Sequence, residues 1–122
     1  MFEKMKLFES ELKVMQLLWE NGDMTASKIA EVLKETIGWS RTTTYTVIKK
    51  CIEKHAIERE NKKYLCRATI TKSEVQSHET KELLDKMYGG SANLLVMALI
   101  DSKMLTAEQI ADLRVLLENN QG

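Results

Sequence analysis

The stretch from Trp39 to Lys50, "WSRTTTYTVIKK", places four threonines within five positions of a segment that has helical spacing. Threonine is a mediocre helix former because its branched Cβ restricts χ1. Even so, Ile48 and Ile52 follow one helical turn apart, and Ser40 stands where an N-cap is expected. The pattern predicts a helix from Ser40 to about His55 whose first turns carry short hydroxyl side chains for a reason other than helix stability.

The two sides of this predicted helix differ in character at about 100° per residue. The side expected to face the core carries Thr44, Ile48, Cys51, Ile52 and His55. The opposite side carries Thr42, Thr43, Thr46 and Lys50, with Tyr45 and Lys49 on the flanks. We expect the Thr44 hydroxyl to bond a preceding backbone carbonyl. The outward threonines form a low surface that can bond base edges or phosphates and contact a thymine methyl group.

The neighbouring segments predict the fold around this helix. "ESELKVMQLLWENG" has the apolar stripe Leu12, Met15, Leu18 and Trp19 and ends at Gly22, and "MTASKIAEVLKET" follows with Thr25 as its N-cap. After the third helix, "AIERENKKYLCRATI" predicts a β-hairpin with a turn at 60–62. Three short helices and a hairpin, in this order, indicate a winged helix-turn-helix whose third helix enters the DNA major groove.

The charge distribution supports contact with a polyanion. The chain of 122 residues has no net charge, yet residues 1–72 carry 14 Lys and Arg against 10 Asp and Glu, and residues 73–122 carry 4 against 8. A basic first half is expected to meet nucleic acid. The predicted DNA-binding residues are Ser40, Arg41, Thr42, Thr43, Thr46, Lys49, Lys50, Lys62 and Lys63.

The second half of the chain predicts three further helices that are rich in Leu, Ile and Met. Their predicted N-caps are Ser73 with Gln76, Ser91, and Thr106 with Gln109. Three short helices cannot bury so many apolar side chains alone, so we expect a second copy of the chain to cover them. The predicted dimerisation residues are Leu83, Leu84, Met87, Leu94, Leu95, Leu99, Ile110, Leu113 and Leu117. The fold class is therefore mainly α with a small β-hairpin: a winged helix-turn-helix domain at 1–72 and a helical dimerisation domain at 73–122.

Several other classes of protein are disfavoured. "MFEKMKLFESELK" is too charged for a signal peptide, and no apolar run reaches the ~18 residues of a membrane span, so a cytoplasmic protein is expected. Catalytic motifs and phosphate-binding loops are absent from the sequence, so the protein is not expected to be an enzyme or to bind a cofactor. Cys51 and His55, with Cys66 and His78, could be imagined as a metal site, but a thiol in a helix core is commonly an apolar filler. The remaining alternative is a protein-interaction module that uses the wing and the Leu-rich tail, and a steep salt dependence of duplex binding would separate it from a DNA-binding protein.

Three motifs give the sequence a family resemblance. They are Leu12-x-Val14-Met15-x-x-x-Trp19, Trp39-Ser40-x-x-Thr43-x-x-Thr46 and Tyr88-x-Gly90. From about Leu7 to Leu117 the chain resembles the penicillinase repressor and methicillin-resistance repressor family of bacteria. The resemblance implies a winged helix-turn-helix with a C-terminal helical dimerisation domain, and a dimer that represses transcription at palindromic operators. Ser40, Thr43 and Thr46 match polar positions of the family's recognition helix, and Thr42 stands where relatives often carry lysine.

The resemblance also implies how repression ends. In such repressors a membrane sensor detects a β-lactam, and proteolysis within the dimerisation domain releases the DNA. The matching bond here is Ala98-Leu99, in "LLVMALIDS", where relatives carry Asn-Phe. Leucine keeps the apolar side of the bond, but alanine lacks the amide that a protease could recognise. The sequence therefore predicts the repressor architecture combined with a response to a different protease or a different signal. The copper-responsive branch of the family carries paired cysteines near its C-terminus, and these are absent here.

Overall fold

Residues 6–120 are described by a computed structural model, which contains six α-helices and three short β-strands within that range. In chain order the elements are α1 (Glu9–Asn21), β1 (Met24–Thr25), α2 (Ala26–Ile37), α3 (Arg41–Glu53), β2 (Ile57–Glu60), β3 (Leu65–Ala68), α4 (Lys72–Met87), α5 (Ala92–Asp101) and α6 (Ala107–Asn119). The prediction of a mainly helical chain with a small β-hairpin is confirmed.

The first three helices begin and end at residues suited to those positions. Thr25 Oγ1 accepts a hydrogen bond from the Lys28 backbone N–H at 3.1 Å and caps α2. Gly38 then adopts a left-handed conformation, with φ 74°, which ends α2 and leaves a short turn before α3. Gly22 similarly ends α1 with its N–H bonded to Leu18 O at 2.9 Å. The predicted caps of this region are confirmed, and they place α2 and α3 one after the other with almost no loop between them.

The sheet contains a strand, β1, that the sequence pattern does not predict. The predicted hairpin is formed by β2 and β3, and its turn spans 61–64. On the other side of β3 lies β1, which pairs Met24 with Cys66 and Thr25 with Leu65. A strand of two residues has no periodicity to detect, and it forms only because the chain passes β3 on its way into α2. The hairpin is thereby attached to the start of α2 as well as to the end of α3.

One core joins α1, α2, α3 and the inner face of the sheet. Met15, Ile29 and Ile48 are fully buried at its centre. The start of α4 belongs to this core, since Val75 is buried in the same cluster. Trp19 is half-buried, and its indole Nε1 donates to Ile70 O at 2.9 Å. The chain divides into two compact units, and the boundary between them in the sequence lies after His78, inside α4. The domain boundary after residue 72 remains a prediction.

The end of α3 differs from the prediction. The helix ends at Glu53, and His55 adopts a left-handed conformation with φ 63°. The N–H of His55 bonds Ile52 O and that of Ala56 bonds Cys51 O, both at 2.9 Å, which is the Schellman pattern of helix termination. His55 occupies the position usually taken by glycine, and its side chain is exposed. The expectation that His55 faces the core is therefore wrong.

The hydrogen bonding of the Thr44 hydroxyl also differs from the prediction. Thr44 is fully buried as predicted, but its Oγ1 has no hydrogen-bond partner among the described residues. The expected bond to a backbone carbonyl is therefore not formed. Burial without a partner removes a hydroxyl from water with no compensation, which is unfavourable by about 1–3 kcal/mol.

Replacing Thr44 by valine is expected to stabilise the protein. Valine has nearly the same shape and leaves no unbonded polar atom in the core, so the free energy of unfolding should rise by about 1 kcal/mol. Urea unfolding of Thr44→Val and wild type would measure the difference, with the exposed Thr42→Val as the matched control. A Thr44→Val protein less stable than the wild type would mean that the hydroxyl has a partner.

The first helix of the C-terminal half begins at a cap other than the predicted one. Thr71 Oγ1 accepts from the Glu74 N–H at 3.0 Å, and the Thr71 N–H donates to Glu74 Oε1 at 3.1 Å. This capping box replaces the predicted pair of Ser73 and Gln76. Both pairs fit the capping-box pattern. Because Ile70, just before Thr71, is buried in the core, a helix start at Thr71 is favoured over one at Ser73.

The remaining caps are as predicted. Ser91 Oγ accepts from the Leu94 N–H at 3.2 Å, and Thr106 forms a reciprocal capping box with Gln109 at 3.1 and 2.9 Å. In the unit from Glu79 onward, no side chain of α5 or α6 is buried within the described residues. No helix of the described range is both long enough and apolar enough to cross a membrane.

Candidate nucleic-acid interface

The outer side of α3 is a surface of small hydroxyl side chains. Thr42, Thr43 and Thr46 are exposed, whereas Thr44, directly after Thr43 in the chain, is fully buried. The two sides of the helix therefore lie as the helical spacing predicts. A surface without long side chains lets a helix approach a groove closely, and each threonine offers a donor, an acceptor and a methyl group.

Ser40 serves the helix itself. Its Oγ accepts a hydrogen bond from the Thr43 N–H at 3.1 Å and donates one to Thr43 Oγ1 at 3.0 Å. The first bond satisfies a backbone donor of the first turn, and the second fixes the hydroxyl of Thr43. Ser40 thus orients a threonine of the surface in addition to capping α3.

Arg41 is held by three contacts at the junction of α2 and α3. Its Nη2 donates to the Tyr45 hydroxyl at 2.8 Å, and its guanidinium lies 4.8 Å from the centroid of the Tyr45 ring. Its Nη1 also approaches Ser27 Oγ of α2 at 3.5 Å. An arginine with this many contacts loses less conformational freedom when it binds an anion than a freely moving one.

Two tyrosines that the site prediction did not include connect α3 to the hairpin. The rings of Tyr45 and Tyr64 meet edge to face, with centroids 5.5 Å apart and planes at 84°. The guanidinium of Arg59 lies 3.6 Å from the centroid of the Tyr64 ring. The four-residue spacing of Arg41 and Tyr45 on a helix was a signal that could have indicated the first contact. The Tyr45–Tyr64 contact depends on tertiary packing and had no such signal.

A depression lies between α3 and the hairpin beside these tyrosines. Its volume is about 430 Å³, and it is lined by Arg41, Thr42, Tyr45, Thr46, Lys49 and Tyr64. Two of the lining side chains are cationic and none is a carboxylate. The other cavities described here are different, because the linings of all three include at least one glutamate.

The predicted lysines are available for phosphates. Lys49 and Lys50 are exposed on α3, and Lys62 and Lys63 are exposed in the turn of the hairpin, the wing. None of their ammonium groups makes a hydrogen bond or an ion pair within residues 6–120. Their contact with DNA remains a prediction, as does that of the threonines.

The sulfur atoms do not form a site with the histidines. Desolvation by burial, with a smaller contribution from Glu11, raises the pKa of Cys51 to about 12, and burial raises the pKa of Cys66 to about 11. Both thiols are therefore protonated near neutral pH. His55 is exposed, and no group of three or more potential metal ligands comes together in the described part of the chain.

Proteins of similar sequence match nearly the whole length of this chain. The penicillinase repressor of Bacillus licheniformis is 24% identical over 119 residues, covering 96% of this chain and 93% of that protein. The methicillin resistance regulatory protein MecI of Staphylococcus aureus (strain N315) is 26% identical over 114 residues, covering 92% of this chain and 93% of that protein. These relatives are named as repressors and regulators, in agreement with the prediction that the chain is not an enzyme.

A solved structure supports the architecture. The solution structure of the DNA binding domain of the repressor BlaI aligns with a TM-score of 0.51 and 24% identity, covering 57% of this chain and 87% of that chain. At this identity the likeness concerns the fold alone, and it confirms the winged helix-turn-helix. The sequence model of the penicillinase repressor family matches residues 7–119. The chain belongs to the penicillinase repressor family.

Proposed function

We propose that the protein is a dimeric repressor of transcription that binds palindromic DNA operators through α3 and the wing. The chain belongs to the penicillinase repressor family, and its relatives are named as penicillinase repressors and methicillin resistance regulators. Both facts support the general function of a DNA-binding transcriptional repressor in the regulation of antibiotic resistance. The dimer and the palindromic operator go beyond that support and are our proposals. A dimer with two-fold symmetry would present α3 twice, which is why a palindromic site is expected.

The observation that carries the proposal is the chemistry of the α3 surface. Three exposed threonines lie on the outer side of the helix, and four lysines on α3 and in the wing form no ion pair within residues 6–120. Short hydroxyl side chains suit base edges, and ammonium groups suit phosphates. We assign Thr43 and Thr46 to base edges, and Lys50 and Lys63 to phosphates.

Thr46→Ala is expected to lower affinity for the preferred operator and to change binding to random DNA little. The loss should be about 1–3 kcal/mol, because a base contact contributes only at the correct sequence. The operator would first be obtained by selection from a random duplex library, and both affinities would then be measured at one salt concentration.

Lys63→Ala serves as the contrasting variant. It should weaken binding to operator and random DNA alike and flatten the dependence of affinity on salt, because a phosphate contact carries no sequence information. Equal losses on both DNAs for Thr46→Ala would contradict the assignment of this threonine to a base. Wild-type binding that does not respond to salt would favour the alternative of a protein-interaction module.

We assign dimerisation to the helices from Leu83 onward. Leu83, Met87, Leu94 and Leu117 are all exposed within the unit that begins at Glu79. Apolar side chains in this number are unfavourable in water and suit a symmetric interface. The partner we propose is a second copy of the chain, acting with it in the cytoplasm.

Release from DNA is proposed to differ from the β-lactam pathway. Ala98 and Leu99 lie inside α5 and are half-buried, so the helix must open locally before a protease can reach the bond between them. The resemblance implies cleavage at this bond, but Ala98 offers no amide for recognition. We propose that the chain is released by another protease or another signal.

Cells exposed to a β-lactam are therefore not expected to produce a fragment that ends at Ala98. Immunoblotting of the native protein before and after exposure would measure this. The matched control is Ala98→Asn with Leu99→Phe, which restores the residues of the relatives and should permit cleavage if the sensor pathway is present. A fragment ending at Ala98 from the unaltered protein would show that the alanine is tolerated.

A further inference from the structure

We propose that the depression between α3 and the wing binds one backbone phosphate of the DNA, with Arg41 as its ligand and Tyr45 and Tyr64 as positioning residues. The proposal rests on the proposed DNA-binding function and adds a defined contact to it. The two tyrosines were not among the predicted DNA-binding residues, and the phosphate is assigned to one place on the surface.

The composition of the depression favours an anion. Arg41 and Lys49 supply two positive charges and Thr42 supplies a hydroxyl donor, while the Thr46 hydroxyl, which also lines the cavity, is assigned to a base edge; no carboxylate lines the cavity. The other cavities described here all include glutamates in their linings. A phosphate diester has one negative charge and two free oxygens, which match a guanidinium accompanied by a hydroxyl group.

Arg41 is positioned before any ligand arrives. Guanidinium has five N–H donors. One of them is bonded to the Tyr45 hydroxyl at 2.8 Å, and a second points towards Ser27 Oγ at 3.5 Å. The remaining donors are available on a group that can move little. Loss of the Tyr45 hydroxyl would free the guanidinium without removing its charge.

The tyrosine pair fixes the width of the depression. Tyr45 belongs to α3 and Tyr64 to the end of the wing turn, and their edge-to-face contact at 5.5 Å joins the two walls. Tyr64 is itself covered by Arg59, which does not line the depression and instead stacks on the ring at 3.6 Å. When a recognition helix lies in the major groove, the DNA backbone passes beside it. The depression lies beside α3, on the side of the wing, and we place that backbone there.

The central test is a double-mutant cycle with full-length protein and a random-sequence duplex, titrated with salt. Arg41→Gln should reduce the slope of log K against log salt concentration by ~0.9, the value for one phosphate contact. Tyr45→Phe keeps the ring but not the hydroxyl, and should weaken binding about threefold to tenfold. The double variant should bind no more weakly than Arg41→Gln alone, because the hydroxyl acts through Arg41. Full additivity, wild-type affinity of Tyr45→Phe, or an unchanged slope for Arg41→Gln would overturn the proposal.

The wing tyrosine is tested by paired variants. Tyr64→Phe preserves the ring contacts and should bind as the wild type, whereas Tyr64→Leu should lose affinity and show a reduced salt slope. Thermal unfolding would check that Tyr64→Leu is folded. Equal binding by Tyr64→Phe and Tyr64→Leu would count against a positioning role.

Arg67→Gln is the matched control for charge. Arg67 is also on the hairpin, but it pairs with Asp23 at 3.1 Å and does not line the depression. The salt slope of Arg67→Gln should match that of the wild type, and a reduction equal to that of Arg41→Gln would mean that the effect reflects net charge alone.

If wild-type protein fails to bind duplex DNA, the proposed function is refuted together with this inference. If the wild-type protein binds DNA with a steep salt dependence but the variants do not show the stated effects, the proposed DNA-binding function stands and only the phosphate site is refuted.

Discussion

Full-length protein is expected to sediment as a dimer at micromolar concentration, and Leu94→Glu with Leu117→Glu is expected to make it a monomer. Leu94 is 50% exposed and Leu117 is 66% exposed, so the substitutions should not disturb folding of the single chain. A charged side chain at a buried contact would prevent association because it could not be paired or hydrated there. Analytical ultracentrifugation of both proteins would measure the change.

The same double variant should lose most of its affinity for a palindromic operator. Two linked half-site contacts bind about 10²–10⁴ times more tightly than one, and this factor disappears when the copies separate. Asn119→Glu is the control for an added glutamate, because it places one negative charge at an exposed polar position of α6 and should remain dimeric. A wild-type monomer at micromolar concentration, or a dimeric double variant, would contradict the assignment of the interface.

A shortened chain gives a second measurement of the same interface. The core of the first unit includes Val75, so a chain ending at Lys72 would lose a buried contact, whereas one ending at His78 retains it. The chain that ends at His78 is expected to be soluble and monomeric and to bind a half-site only weakly. Its dimerisation in solution would place the interface in the first unit.

The sequence predicts best those features that repeat along one helix. The outward Thr46 and the buried Ile48 follow from 3.6 residues per turn, and the caps at Thr25 and Ser40 follow from the need of the first turn for an acceptor. These features involve residues close in sequence. They were sufficient to predict the order of helices and hairpin, and with it the winged helix-turn-helix.

The features that escaped prediction depend on packing or on competing local signals. Thr71 and Ser73 both begin an acceptable capping box, and only the position of buried Ile70 decides between them. α3 is terminated by His55, which adopts a left-handed backbone conformation. Residues other than glycine rarely adopt this conformation, so the sequence did not indicate this end of the helix. The contact of Tyr45 with Tyr64 joins residues far apart in the chain, so sequence periodicity could not place it in the candidate site.

A buried ion pair between α1 and the residue after α3 is another such feature. Glu11 is only 1% exposed, and its Oε1 accepts hydrogen bonds from Lys54 Nζ at 2.6 Å and from the Phe8 N–H at 2.7 Å. Lys54 is 24% exposed and also donates to Lys6 O at 2.6 Å, with its ammonium 4.0 Å from the Phe8 ring centroid. The pair therefore connects the end of α3 to the start of α1.

Lys54→Met is expected to lower the free energy of unfolding by about 3 kcal/mol. Methionine can replace the aliphatic part of the lysine, but it leaves the Glu11 carboxylate buried without a counter-charge, which is unfavourable by about 3–5 kcal/mol. We expect the lower end of that range because the lysine is partly accessible to water, so some hydration can replace it. Urea unfolding followed by circular dichroism would measure the loss.

Two further variants separate the ion pair from the side chains that form it. Glu11→Gln with Lys54→Met removes both charges and keeps an acceptor for the Phe8 N–H, so it should be more stable than Lys54→Met alone. Lys50→Met, at an exposed position of α3, should change the unfolding free energy by no more than about 0.5 kcal/mol. If Lys54→Met proved as harmless as Lys50→Met, water would have to reach Glu11. In that case the position of α3 would depend on its apolar contacts and the wing alone.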